Sequence, residues 1–141
     1  MTRFLTENSI SRTCDFIAGE IPGFTSSEVL EANSKAFKEY WPTIEERWTL
    51  GFIDSASVAR EIWRRTLISC GCADQIILES ALRVDERFDR DANVLFDDVQ
   101  TLLDFAIVHD LRLALVTNGP SDLQRWKLQN VGLEGLSLIH I

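Results

Sequence analysis

The chain has no apolar run approaching the roughly 20 residues a helix needs to cross a bilayer, so none of its 141 residues reads as part of a transmembrane segment. Its opening, Met-Thr-Arg-Phe-Leu-Thr-Glu, lacks the apolar stretch of a secretory signal. Basic residues are the minority: 14 Lys and Arg stand against 22 Asp and Glu, for a formal net charge of −8. That balance excludes broad nucleic-acid binding and disfavours an anionic membrane surface. Cysteine is scarce. Cys14, Cys70 and Cys72 make an odd set without the spacing of a disulfide framework. Cys70-Gly-Cys72 has no second Cys/His pair to complete a zinc site. These are read as reduced thiols of a cytoplasmic protein. Repeats and low-complexity stretches are absent too. What remains is an ordinary soluble composition, long enough for one sizeable core.

The region from Met1 to about Phe88 reads as helical. Phe4, Ile10, Cys14 and Ile17 give a partial apolar face, stopped near Gly19 and Pro22-Gly23. Thr25-Ser26-Ser27-Glu28 is a capping box, with Phe24 and Val29 placed as a hydrophobic staple. Val29, Asn33, Ala36, Phe37, Tyr40 and Trp41 follow at nearly helical spacing, and Pro42 is expected to end that helix. Asp54 is placed to cap the next one, whose buried face is Val58, Ala59, Ile62, Trp63 and Leu67. Glu61 and Arg65 form an i,i+4 pair opposite it, and Gly71 is the stop. Ile76, Ile77, Ala81, Leu82 and Val84 mark another helix. Arg60, Arg64 and Arg65 read as a solvated face, and Trp41, Trp48 and Trp63 as core.

At the polar stretch Asp89 to Asn93 the pattern changes. Asp97 can cap a helix carrying Val99, Leu102, Leu103 and Ala106 inward, with His109 in its last turn, where the helix dipole favours positive charge. Then comes the most informative string of the chain: Ala114-Leu115-Val116-Thr117-Asn118-Gly119. An apolar strand, expected over Leu111 to Thr117, stops at a hydroxyl, an amide and a glycine. Ser121 and Gln124 then fit a capping box for a following helix. Helix, buried strand and helix in succession are the signature of a parallel α/β sheet. In such sheets ligands bind at the carboxyl ends of the strands. The next helix offers free N–H groups to an anion such as phosphate. Thr117 is the hydroxyl donor, and Gly119 allows close approach of backbone and ligand. The same string is also an ordinary strand-to-helix turn.

The stretch from Leu113 to Gln124, with Lys127-Leu128 and Val131-Gly132-Leu133, resembles the second motif of the haloacid dehalogenase (HAD) superfamily of hydrolases, a hydrophobic strand ending in Thr or Ser and then Asn. The helical region before it is similar to that family's mobile cap. The resemblance spans Met1 to Leu136 and implies an α/β fold: a partial HAD-like, Rossmann-type core with one parallel strand and flanking helices, under a mainly helical cap. It divides the chain into a cap over 1–88 and a partial core over 89–136. It assigns substrate binding to Thr117, Asn118 and Gly119, and implies a Mg²⁺-dependent phosphatase of a small phosphorylated metabolite, acting through an aspartyl-phosphate. A 2-haloacid dehalogenase, which uses the Asp without a metal, is the alternative enzyme. A helical binding module without chemistry is the alternative from another class.

The family's opening motif, Asp-x-Asp-x-Thr, carries the nucleophile, and it does not occur here. Asp89-Arg90-Asp91 has part of the spacing, but it follows a helical pattern and Asn93 stands where Thr should be. The later Lys and the acidic pair for Mg²⁺ are missing as well, so no catalytic residue is assigned, and the chain is expected to be an internal fragment, inactive by itself. Residues 137–141 resemble translated sequencing-adapter read-through and are read as a non-native tail, which leaves His140 without a role.

Overall fold

The structure, a computed structural model, describes residues 2–4, 6–117, 119–134 and 139–140. The elements in chain order are β1 (Thr2–Phe4), α1 (Thr6–Glu20), α2 (Ser26–Thr49), α3 (Ser55–Ser69), α4 (Gln75–Ala92), β2 (Asn93–Leu95), α5 (Val99–Val108), β3 (Ala114–Leu115), α6 (Ser121–Asn130) and β4 (Ile139–His140). α1 packs on α2 and α4, and α3 packs on the same two helices, so the four close into a bundle. Short connections make neighbours of consecutive helices in such a bundle. Its core is Cys14, Ile17, Ile21, Val29, Trp63, Leu67, Cys70, Leu78 and Ala81. One polar link joins two helices inside, Asn33 Nδ2 donating to Thr66 Oγ1 at 3.2 Å, and within α1 Thr13 Oγ1 donates to Ser9 O at 3.0 Å. Both give buried polar groups a partner.

The local signals mostly act as their chemistry dictates. Thr25 caps α2 reciprocally with Glu28: the Thr25 N–H donates to Glu28 Oε2 at 2.8 Å, and the Glu28 N–H donates back to Thr25 Oγ1 at 3.3 Å. Asp54 Oδ1 accepts from the Ser57 N–H at 2.7 Å at the start of α3. Gly71, with φ +69°, follows the end of α3. Pro42 is a correction: α2 runs through it to Thr49. Proline removes one backbone donor, the one that would bond Lys38 O, but the packing of α2 on α1 and α3 carries the helix through it. Thr43 Oγ1 donates to Tyr40 O at 2.7 Å, one turn back. Likewise Asp98 rather than Asp97 starts α5, without a side-chain cap bond. Pro120 starts α6, so the Ser121–Gln124 capping box does not form. α4 continues without a break through the polar stretch to Ala92.

The expected α/β fold, with its partial HAD-like, Rossmann-type core, is overturned. The chain is mainly helical: among the described residues there are six helices, and the strands are two or three residues long. They form two separate pairings, β1 with β2 antiparallel and β3 with β4 parallel. The reason lies in burial. A parallel strand needs both faces covered and a neighbour to extend its ladder. The apolar run from Leu111 to Val116 has cover on one side alone, where Leu113 and Leu115 join Val99, Leu103, Leu128 and Leu133 in a second small core. On the other side Ala114 is exposed and Val116 is 74% exposed. The strand expected over Leu111 to Thr117 therefore shrinks to Ala114–Leu115.

Candidate functional site

The bundle and α6 enclose a cleft made of two confluent cavities, of about 590 Å³ and about 870 Å³. Ser55, Ala59, Asp85, Asp89 and Leu123 line both. This is the volume range of small-molecule sites, which combine apolar walls with a few polar groups. The larger cavity is walled by Phe37, Trp41, Trp48 and Trp63. Trp41 stacks on Phe37 at 5.4 Å between centroids and meets Trp48 edge-on at 5.1 Å. Trp126 of α6 lines the smaller one.

Two carboxylates one helical turn apart form the polar part of the wall. Asp85 lies on the inward stripe of α4 with Leu78, Ala81 and Phe88. Its Oδ2 accepts from Trp63 Nε1 at 2.9 Å and its Oδ1 from Thr13 Oγ1 at 3.2 Å. Burial outweighs these bonds, and with the nearby charge of Asp89 it pushes the Asp85 carboxyl up to about 6. Asp89 is pushed up as well, again chiefly by burial, against the opposing effects of a Ser9 hydrogen bond and the Lys127 charge. Burial thus leaves the cleft wall with two acids that hold their protons more tightly than free carboxyls do.

Of the residues singled out in the sequence, Thr117 and Gly119 lie beside this cleft rather than in its wall. Thr117 Oγ1 donates to Gln124 Oε1 of α6 at 3.1 Å. Gly119 has φ +128°, and a Cβ there would come within 2.9 Å of Gln124 Nε2 and 3.9 Å of the Trp48 ring. Only glycine takes that backbone and that approach without strain. Asn118 lies outside the described residues. The connection between loop and cleft is α6: Leu123 lines both cavities, and Asp122 Oδ2 accepts from the Ser55 N–H at 2.7 Å, tying α6 to the start of α3.

The arginines are a solvated face, as their spacing suggests. Arg60 holds Glu79 through two nitrogens, at 2.6 and 3.1 Å, and Glu61 serves Arg64 and Arg65, each at 2.7 Å. The same contacts hold the Glu61 carboxyl at about 2. The tryptophans correct the reading: Trp63 is core, but Trp41 and Trp48 stand in the cleft wall. The three cysteines are free thiols, and burial pushes Cys14 to about 12, which keeps it protonated. His109 caps the end of α5, its Nδ1 2.8 Å from Phe105 O.

The cleft does not fit a Mg²⁺ ion. Mg²⁺ asks for several oxygen ligands at once, and among the described residues no group of three His, Cys, Asp or Glu could hold a metal. Among those residues, too, no helix is long and apolar enough to cross a membrane. Comparison with protein-family models, with curated proteins and with solved structures finds no match to this chain.

Proposed function

We propose that this chain is the substrate-binding part of a haloacid-dehalogenase-like hydrolase, a phosphatase of a small phosphorylated metabolite whose nucleophilic Asp is not in this sequence. The observation that carries the reading is the cleft between the bundle and α6, with Thr117 and Gly119 beside it. In this reading the cleft takes the body of the metabolite, and the loop takes its phosphoryl group. Thr117 turns its hydroxyl from Gln124 to a phosphoryl oxygen, and Gly119 keeps the loop free of side-chain bulk. Thr117 is not itself set up to attack phosphorus: it is bonded to an amide oxygen, which does not activate it as a base would.

The test is a titration of the purified chain with phenyl phosphate. A hydrogen bond to a charged group is worth roughly 1.5–3 kcal/mol, so Thr117→Ala should weaken binding at least about tenfold. Thr117→Ser keeps the hydroxyl and should bind almost as the parent does. A folded Thr117→Ala chain with undiminished affinity removes Thr117 from the site.

A second reading, a non-catalytic helical binding module, is favoured by α5. Its inward face is Val99, Leu103 and Ala106, yet Leu102, Phe105, Ile107 and Val108 are 52–79% exposed. Exposed apolar side chains gathered beside a packed face mark an interaction surface. Phenyl phosphate that fails to bind the folded chain favours this module over the hydrolase.

A further inference from the structure

We propose that the cleft selects a ligand that carries a protonated amine on an aromatic or apolar body. This rests on the cleft wall alone and not on Thr117 or on the hydrolase reading. Four rings, those of Phe37, Trp41, Trp48 and Trp63, stand along one cavity, and their electron-rich faces favour both a flat apolar body and a cation. Asp85 and Asp89 lie where the two cavities meet, one turn apart on α4.

The other charged groups of the wall are already engaged or face solvent. Arg60 is held by Glu79 through two nitrogens, and Glu86 accepts from Arg90 Nη2 at 2.8 Å. Asp122 accepts from the backbone of Ser55. Lys38 is solvent-exposed, and the Lys127 charge acts on Asp89. Asp85 is held by two neutral donors, and the charge acting on it is a like one, from Asp89. An ammonium group placed beside these carboxylates relieves their repulsion and gives Asp85 the opposite charge that Asp89 already feels from Lys127. A carboxylate in the same place adds a third negative charge. The cleft thus discriminates by sign as well as by shape.

Three probes that share a 2-phenylethyl body separate these effects: 2-phenylethylamine, 2-phenylethanol and 3-phenylpropanoate, each titrated into the full chain at neutral pH and physiological salt, with tryptophan fluorescence as the readout. The amine should saturate and bind at least tenfold more tightly than the propanoate, with the alcohol between them. Asp89→Asn should lower the amine's affinity about tenfold and leave the alcohol's unchanged. Asp85→Asn, whose amide fits the Trp63 and Thr13 bonds, should do the same in a chain that circular dichroism shows to be folded. Equal affinity for amine and propanoate overturns the proposal. So does an amine that fails to bind the folded chain, or one whose affinity survives both substitutions. A phenyl phosphate titration lost in Thr117→Ala but not in Asp89→Asn would separate the two ligand ends.

Discussion

Trp63→Ala should destabilise the chain by roughly 3–5 kcal/mol, the usual cost of truncating a buried aromatic residue. Trp63 is 2% exposed and packs in the bundle core while its ring edge reaches the cleft. Truncation opens a void among Val29, Leu67, Leu78 and Ala81 and takes the indole donor from Asp85. Trp63→Phe separates the two consequences. It keeps most of the ring and should recover most of the stability. It still lacks the N–H, so the Asp85 carboxyl should titrate higher than in the parent. Urea denaturation at fixed pH, with an NMR titration of the Asp85 carboxyl, reads both. A Trp63→Ala chain as stable as the parent would mean that the bundle is not closed over this ring.

The second large effect is a dependence of stability on pH. Asp85 titrates at about 6 in the folded chain, against an ordinary value of 3.8. The folded state therefore binds the proton more tightly than the unfolded one. Between those two values stability falls as pH rises, and above about 6 the penalty is fully present. Two pH units correspond to about 3 kcal/mol. Asp89 acts in the same direction. Glu61, held at about 2, has the opposite sign and loses its contribution only as pH falls below the ordinary Glu range. Stability should thus peak near pH 4 to 5 rather than at neutrality. Asp85→Asn should flatten the fall and raise stability at pH 7 by up to about 3 kcal/mol. Its amide oxygen still accepts from Trp63, and its NH₂ can donate to Thr13, whose own hydroxyl then serves Ser9 O alone. An Asp85→Asn chain less stable than the parent at pH 7 would mean that the carboxylate is stabilised where it lies.

How much of this was legible in the sequence depends on the range of each signal. Caps and i,i+4 pairs act within one turn, so Thr25 with Glu28, Asp54 with Ser57, and Glu61 with Arg65 are readable from the residues alone. The helical nature of the first region follows from apolar spacing in the same way. The sheet was not readable. An apolar run of Leu111 to Val116 states a strand propensity, but whether it becomes a sheet depends on neighbours on both faces. Pro42 misleads because the packing of α2 on α1 and α3 carries the helix through it, a tertiary contribution that local propensity does not state. The Thr117 loop stood out by its residue types, whereas the cleft beside it did not. Yet one signal for the cleft was present: Asp85 falls four residues after Ala81 and seven after Leu78, on a stripe that should be apolar throughout. An acid on an inward stripe is either costly or useful. Trp41 and Trp48 gave no such sign, since helical spacing is the same for a core ring and for one in a cleft wall.

The most direct test of the central claim, a phosphoryl-binding loop beside a small-molecule cleft, is an NMR titration of the ¹⁵N-labelled chain with phenyl phosphate. Saturating shifts should appear at the amides of Thr117, Gly119 and Ser121, and at the indole N–H signals of Trp48 and Trp63, which bond Ser55 and Asp85 within the cleft wall. Saturating shifts that leave both the loop amides and the two indoles unmoved, or a folded chain that shows none, would contradict it.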